Sequence, residues 1–267
     1  MIQIKTDAEI AKMREAGLVV GRTLEVLRSA VRPGIRTRDL DAIAGEQIRS
    51  AGATPSFYGY HGFPATICTS VNDEIVHGIP GDRVLKEGDV ISIDCGAIVD
   101  GWHGDAAITV PVGDASPELL ELLRVTEESL WRGFAAATLG GRLTDISHAV
   151  EYYVQSQGDY GIVEEYVGHG IGTEMHQPPN VPNYGKPGRG PKLQKGLALA
   201  VEPMITLRNP ANRTLADDWT VVTRDGSPAA HFEHTFTITD YGPWVLTALD
   251  GGAERLASLG VRTPARA

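Results

Sequence analysis

Apolar and polar positions along the chain follow two periods, and their order repeats. Thr6 to Glu9 has the Thr-x-x-Glu form of a capping box. Behind it Ile10, Met13, Gly17, Val20, Leu24 and Leu27 recur at helical spacing until Pro33-Gly34, which predicts a first helix. A second is predicted from Thr37, with Leu40, Ile43, Ala44 and Ile48 on one face and Gly52 at its end. A loop rich in glycine and aromatic residues follows, Pro55 to Pro64. Strand-like runs come next at Ala65 to Ser70, Glu74 to Val76 and Asp89 to about Val112. The order then recurs. Ser116-Pro117-Glu118 opens a helix striped with Leu119, Leu122, Leu123, Leu130 and Phe134. Thr144 is the expected cap of another, bearing Ile146, Ala149, Val150 and Tyr153 and ended by Gly158. Candidate strands lie at Leu197 to Leu207, Trp219 to Arg224 and His231 to Thr239. Helix, helix, strands, twice over, predicts two similar halves meeting in one sheet and sharing one core. The tail after Asp250 reads as a frayed helix or coil.

Asp100-Gly101 sits between two apolar runs and marks a two-residue hairpin turn. Counting outward sets Val99 against Trp102 and Gly96 against Asp105. Asp94 shares a face with Gly96. Asp94 and Asp105 are then diagonal neighbours, about 7–8 Å apart at the backbone. A surface hairpin with two solvated aspartates would have this pattern. Asp94 fits that poorly, because it lies inside Val-Ile-Ser-Ile-Asp-Cys, a run that reads as buried. Two carboxylates converging there repel each other unless a cation lies between them.

Bulk properties narrow the setting. The 267 residues suffice for one large domain or two small ones. The formal net charge of −10 argues against nucleic acid or an anionic membrane as the main partner. Cys68 and Cys95 form no C-x-x-C pair, so a disulfide framework or a cysteine zinc site is not expected and a reducing compartment fits best. The N-terminus has no apolar core of a signal peptide, and no apolar run reaches membrane-spanning length. The expected location is the cytoplasm.

Three more stretches carry chemistry. Gly168-His169-Gly170-Ile171-Gly172 sets a histidine among glycines, where its nitrogen could meet a metal; a flexible loop or a weak phosphate cradle would also fit. Ala200-Val201-Glu202-Pro203-Met204 places one charge in an apolar strand, either metal-bound or on an edge facing water. In His231-Phe232-Glu233-His234-Thr235-Phe236, alternation puts Glu233 on the face of His231 and Thr235. Each stretch taken alone reads as ordinary structure. Together, two aspartates, two glutamates and one histidine make a hard, oxygen-rich donor set suited to two divalent cations such as Mn, Fe, Co or Zn rather than to structural zinc.

Seven ordered motifs resemble the type I methionine aminopeptidases of the pita-bread metallopeptidase family, over about Thr6 to Leu249. They are Gly59-Tyr60-His61-Gly62, Asn72 to Pro80, Ile93-Asp94-Cys95-Gly96, Gly101-Trp102-His103-Gly104-Asp105, Gly168 to Gly172, Ala200 to Met204 and His231 to Thr235. The resemblance implies an α+β pita-bread fold: two pseudo-symmetric halves sharing a curved, mainly antiparallel sheet with helices on its outer face. It implies one catalytic domain over residues 1–250, with residues 251–267 as a tail. Asp94 would hold one metal ion, Asp105 and Glu233 would bridge two, and His169 and Glu202 would complete the second. His77 and His176 would hydrogen-bond the scissile amide and its tetrahedral intermediate. Glu202 would relay a proton to the leaving amine after water, activated between the cations, attacks the first peptide bond.

By the same resemblance Tyr60, His61, Phe63, Cys68 and Trp219 line a methionine pocket, with His77 and His176 also against substrate. Phe57 stands where some relatives have cysteine, giving a bulkier rim. The implied substrates are N-terminal peptides of nascent proteins whose second residue is small. A transient ribosome contact, no nucleic-acid substrate, no membrane and a monomeric chain complete the expectation. An Xaa-Pro aminopeptidase shares the five ligands but usually has a large N-terminal domain, for which the sequence before Asp7 leaves no room. A non-catalytic binding module would usually have lost ligands, and a type II enzyme would carry an insertion between His169 and Glu202.

Overall fold

The computed structural model describes residues 1–264. Its helices are α1 (Asp7–Ala30), α2 (Thr37–Ser50), α3 (Pro117–Ala136), α4 (Leu143–Gln157) and the short α5 (Ala253–Ser258). The Thr6 hydroxyl caps α1 by accepting the Glu9 N–H, and the Glu9 carboxylate accepts the Thr6 N–H in return. Ser116 caps α3, whose first residue is Pro117, as the sequence predicts. α4 differs in detail. Its N-cap is Arg142, whose N–H is accepted by Asp145 at 2.7 Å. Thr144 falls inside the first turn instead, because its hydroxyl is taken up by the backbone of Arg189 across the neighbouring loop.

The main sheet has nine strands. In spatial order seven of them are Thr54–Pro55, Val90–Val99, Trp102–Pro111, Glu233–Thr239, Ala198–Val201, Gly168–Gly170 and Gln177–Val181. Ile67–Val71 also pairs with Val90–Val99, and Gly242–Val245 with Glu233–Thr239. Every pairing is antiparallel. The chain therefore has the curled antiparallel sheet and the two helix–helix–strand halves expected of a pita-bread fold.

Two of the predicted strands are broken, and both breaks matter. Leu197 to Leu207 is interrupted at Glu202-Pro203, where proline has no N–H to extend the ladder. Its second piece, Met204–Thr206, joins a separate small sheet with Ala229–His231 and Gly161–Ile162. The last predicted strand is interrupted at Phe232, whose N–H reaches the Pro203 carbonyl at 3.4 Å, so His231 and Glu233 lie in different sheets.

One apolar core joins both halves. It holds Leu24 and Leu27 of α1, Ile48 of α2, Leu122 and Phe134 of α3, Val150 of α4, and Ile93, Cys95, Ala106 and Phe236 from the sheet. α1 lies against the central hairpin so closely that Gly104 and Gly17 have no room for a Cβ between them. Alternation along the strands sends Cys95 and Ala106 into this core and leaves Asp94 and Asp105 on the opposite face. The segment after Asp250 is not frayed at its start. α5 buries Leu256 in the core, and Arg255 pairs with Glu128 at 2.9 Å and stacks on Trp131.

Candidate active site

The Asp100-Gly101 turn holds both residues at positive φ, 48° and 80°, as a tight two-residue hairpin requires. Val99 pairs with Trp102 and Gly96 with Asp105, the register implied by the sequence. Asp94 pairs with Ala107 and so lies diagonal to Asp105. Glu233 pairs with Ala107 from the other side, which brings three carboxylates together from three adjacent strands. Thr235 locks the second junction. Its hydroxyl accepts the Asp105 N–H at 3.1 Å and donates to the Asp105 carbonyl at 2.8 Å.

The strand Gly168–Gly170 adds His169, and Glu202 follows directly on the end of Ala198–Val201. His169 is in register with Ala200, and a Cβ on Gly168 would strike the Ala200 carbonyl, so only glycine allows this approach. His169 Nδ1 donates to the Gly170 carbonyl at 3.0 Å, which leaves the Nε2 lone pair facing the carboxylates. That nitrogen is 3.5 Å from Glu202 Oε1. Burial, with the nearby His176 ring adding to it, lowers the His169 pKa to about 3, so the ring is neutral at pH 7.

The four carboxyl groups are held where none of them ionises easily. Burial pushes Asp94 up to about 7 and Glu202 to about 8. Asp105 and Glu233 are raised well above the usual range, by burial first and then by the neighbouring carboxylates. Asp94 Oδ1, Asp105 Oδ1 and Glu233 Oε1 are buried without a hydrogen-bond partner. Donor atoms of Asp105, His169 and Glu233 lie within 4.8 Å of one another, as do those of Glu202, His231 and Glu233. Unpaired buried oxygens with a neutral imidazole nitrogen among them fit a divalent cation, whose charge would relieve the repulsion.

A cavity of about 330 Å³ opens over this array. All twelve residues singled out from the sequence line it: Asp94, Asp105, His169, Glu202, Glu233, Tyr60, His61, Phe63, Cys68, His77, His176 and Trp219. Tyr60 and His61 come from a turn with Gly59 and Gly62 at positive φ. The Tyr60 hydroxyl meets His176 Nδ1 at 2.8 Å, and the His176 ring is 4.2 Å from that of His169. The other end is apolar, with Phe57, Phe63, Ala65, Cys68 and Met175 packed together and Trp219 edge-on to Phe63 at 5.0 Å. His77 sits at φ 61°, rare for a residue with a side chain, between Tyr166 and Trp219. Burial, then His231 and His176, lowers its pKa to about 4. Cys95 faces away from the cavity, fully buried in the core, and burial raises its thiol pKa, so it acts as a small apolar residue.

Six contributors were given no role from the sequence: Val76, Tyr166, Val167, Met175 and Met204 in the cavity wall, and His231 beside the carboxylates. Met175 adjoins His176, and His231 stands two residues before Glu233 on the alternating face, which was the available signal. Val76 and Met204 lie inside quoted motifs, while nothing local marked Tyr166 or Val167.

The family model described as "Metallopeptidase family M24" matches residues 11–240. A methionine aminopeptidase of Clostridium acetobutylicum is 56% identical over 248 residues, covering 92% of this chain and 99% of that protein. Methionine aminopeptidase 1 of Bacillus subtilis is 53% identical, with 92% and 99% covered. Among solved structures, a methionine aminopeptidase from Thermotoga maritima superposes with a TM-score of 0.91 at 43% identity, over 93% of this chain and all of that one. The donor array on a curled antiparallel sheet and a match across nearly the whole chain lead to one assignment: the chain belongs to metallopeptidase family M24.

Proposed function

We propose that the chain is a methionyl aminopeptidase that removes the initiator methionine from nascent proteins when the second residue is small. The observation that carries this is the joining of two halves in one cavity: a five-residue donor array at one end and an apolar, sulfur- and aromatic-lined recess at the other. Asp94, Asp105, His169, Glu202 and Glu233 would hold two divalent cations, drawn from Co, Mn, Fe or Zn, with Asp105 and Glu233 shared between them. When bound, the cations supply positive charge that lets the carboxylates ionise, polarises the scissile carbonyl and makes water a nucleophile near neutral pH.

The chain's own residues do the rest. Tyr60, His61, Phe63, Cys68 and Trp219 receive the methionine side chain, since aromatic faces and a buried thiol suit a thioether. His77 and His176 are held neutral by their surroundings. Each can therefore donate one N–H to the amide or to the oxyanion that develops from it. Glu202, ionised when the array is loaded, would take the proton of the attacking water and pass it to the leaving amine. Residues 1–250 carry the catalytic machinery, and the segment that follows adds α5, whose Leu256 packs into the same core. The working setting is a cytoplasmic monomer that meets N-termini emerging from the ribosome. Among the described residues no helix is long and apolar enough to cross a membrane.

The test is release of free methionine from Met-Ala-Ser, set against release of the first residue from Ala-Pro-Gly, with Mn or Co added to chelator-treated protein. Methionine release is expected to dominate and to require the metal. Preferred cleavage of Ala-Pro-Gly would overturn the reading in favour of an Xaa-Pro peptidase.

A further inference from the structure

His231 has no part in the roles above, yet it is 1% exposed and its Nε2 has no hydrogen-bond partner. Its backbone is fixed from two sides. Its N–H donates to Thr109 Oγ1 at 2.9 Å, and its carbonyl accepts from that same hydroxyl at 2.7 Å. It also pairs with Met204, two residues beyond Glu202. So anchored, the ring faces the carboxylates, with Nε2 3.5 Å from Glu202 Oε2 and 3.9 Å from Glu233 Oε2. Glu202 thus lies between two imidazoles, one for each oxygen, since Oε1 faces His169 Nε2 at 3.5 Å.

We propose that His231 is a positioning residue for Glu202, its Nε2–H closing onto Oε2 so that Oε1 stays turned to the His169 side of the array. The proposal rests on the reading of Glu202 as metal ligand and proton relay. Accounting for donors and acceptors favours this over a sixth metal ligand. Oε1 lies beside His169, whose donor atom groups with those of Asp105 and Glu233, so a cation held there would take Oε1 and leave Oε2 in need of a donor. The groups facing His231 Nε2 are carboxylate oxygens, acceptors when ionised, and a neutral imidazole has one N–H to give. A separation of 3.5 Å is longer than a formed hydrogen bond, and closing it takes roughly half an ångström. Contacts of this kind tighten when a site is loaded. With Oε2 held, Glu202 keeps one orientation while it accepts and returns a proton; without it, the carboxylate can turn away.

The test uses the Mn-loaded enzyme with His231→Gln, which keeps an N–H donor, and His231→Leu, which keeps bulk but no donor. The Leu variant is expected to hold as many ions per chain as wild type and to lose about 10- to 100-fold in kcat on Met-Ala-Ser, with KM little changed. The Gln variant should recover most of that loss. Should the Leu variant fail to fold, His231→Asn, whose shorter amide stops short of Oε2, takes its place with the same expectation. Wild-type kcat in the Leu or Asn variant, a Gln variant as impaired as the Leu one, or a drop in bound ions in step with activity would each overturn the proposal, the last by making His231 a ligand. A wild-type enzyme that binds no divalent ion or frees no methionine overturns the functional reading and this proposal together. A wild type that does both, beside indifferent variants, overturns the His231 assignment alone.

Discussion

Glu233 occupies an alternating strand that in a simple hairpin would face solvent, but here it is 2% exposed. What changes its meaning is the adjoining strands that bring Asp105 and Glu202 against it. If Asp105 and Glu233 are the shared ligands, Asp105→Ala or Glu233→Ala should abolish peptide cleavage and lower the ions bound per chain, while circular dichroism reports an intact fold; full activity in either variant would rule out a shared pair. His77→Ala should behave differently, with kcat falling strongly at unchanged metal content, because the lost interaction strengthens only in the transition state. Loss of metal in proportion to activity would instead make His77 a ligand. The pH response of the metal-free protein follows from the same residues. Carboxyl groups with raised folded pKa values keep protons that the unfolded chain has released, so they lower stability as pH rises toward 7 for Asp94 and 8 for Glu202. His77 and His169, depressed to about 4 and about 3, act oppositely, but their effect ends once unfolded histidine is neutral, near pH 6.5. Between about pH 6.5 and 8 the carboxyl groups remain, and chelated protein should lose about 1.4 kcal/mol per pH unit for each proton retained. Urea titrations across that window check it, and saturating Mn should flatten the slope; rising stability without metal would contradict the carboxylate cluster. Asp94 was legible because a charge stood inside an apolar run. His77 and His176 were legible only through family resemblance, since a histidine in a turn carries no local sign of what faces it.

At the scale of elements, capping and turn chemistry read well because they are decided within four residues. The Thr6–Glu9 box, Ser116 before Pro117 and the Asp100-Gly101 turn all form where the sequence places them. Thr144 did not cap α4 because a loop 45 residues away competes for its hydroxyl. The strand breaks at Pro203 and Phe232 were hidden for a related reason: each separates pieces that pair with different partners, and partners are not written in a local pattern. Close packing between elements is equally non-local. α1 carries Gly17, where a Cβ would run into the Leu246 carbonyl, and its flank meets Gly104 of the hairpin. Arg14 ties the same helix to the chain beyond the sheet, donating to the carbonyls of Leu246 at 2.7 Å and Leu249 at 2.9 Å. Gly104→Ala should therefore push α1 off the strand that carries Asp105. The expected loss is about 1–3 kcal/mol by chemical denaturation, the usual range for overpacking. A variant as stable as wild type would mean that the helix shifts freely, and the tight contact would then have no bearing on the position of Asp105.

The molecule as a whole places its donors in both halves and an apolar recess where the halves meet, so on the proposed reading cleavage depends on how far a peptide can enter. If methionine fills the recess between the Tyr60-His61 turn and Trp219, its carbonyl reaches the carboxylate array and the second residue stays beside His77 and His61. A large side chain there would hold the carbonyl back, and a displacement near 1 Å can cost on the order of 100-fold in rate. The amine must enter with the methionine, so an acetylated peptide should resist cleavage. The experiment is a series Met-X-Gly-Met-Met with X running from Gly and Ala to Leu and Lys. kcat/KM is expected to be high for Gly, Ala and Ser and to fall by about two orders of magnitude for Leu and Lys. The net charge of −10 adds a second comparison, because long-range attraction would favour the Lys peptide over the Leu peptide in proportion to how exposed the second side chain is. If sterics at the mouth dominate, Lys and Leu fall together and added salt changes neither. A flat series would mean that the second residue lies in open solvent, and the assignment to initiator methionine removal would fail with it.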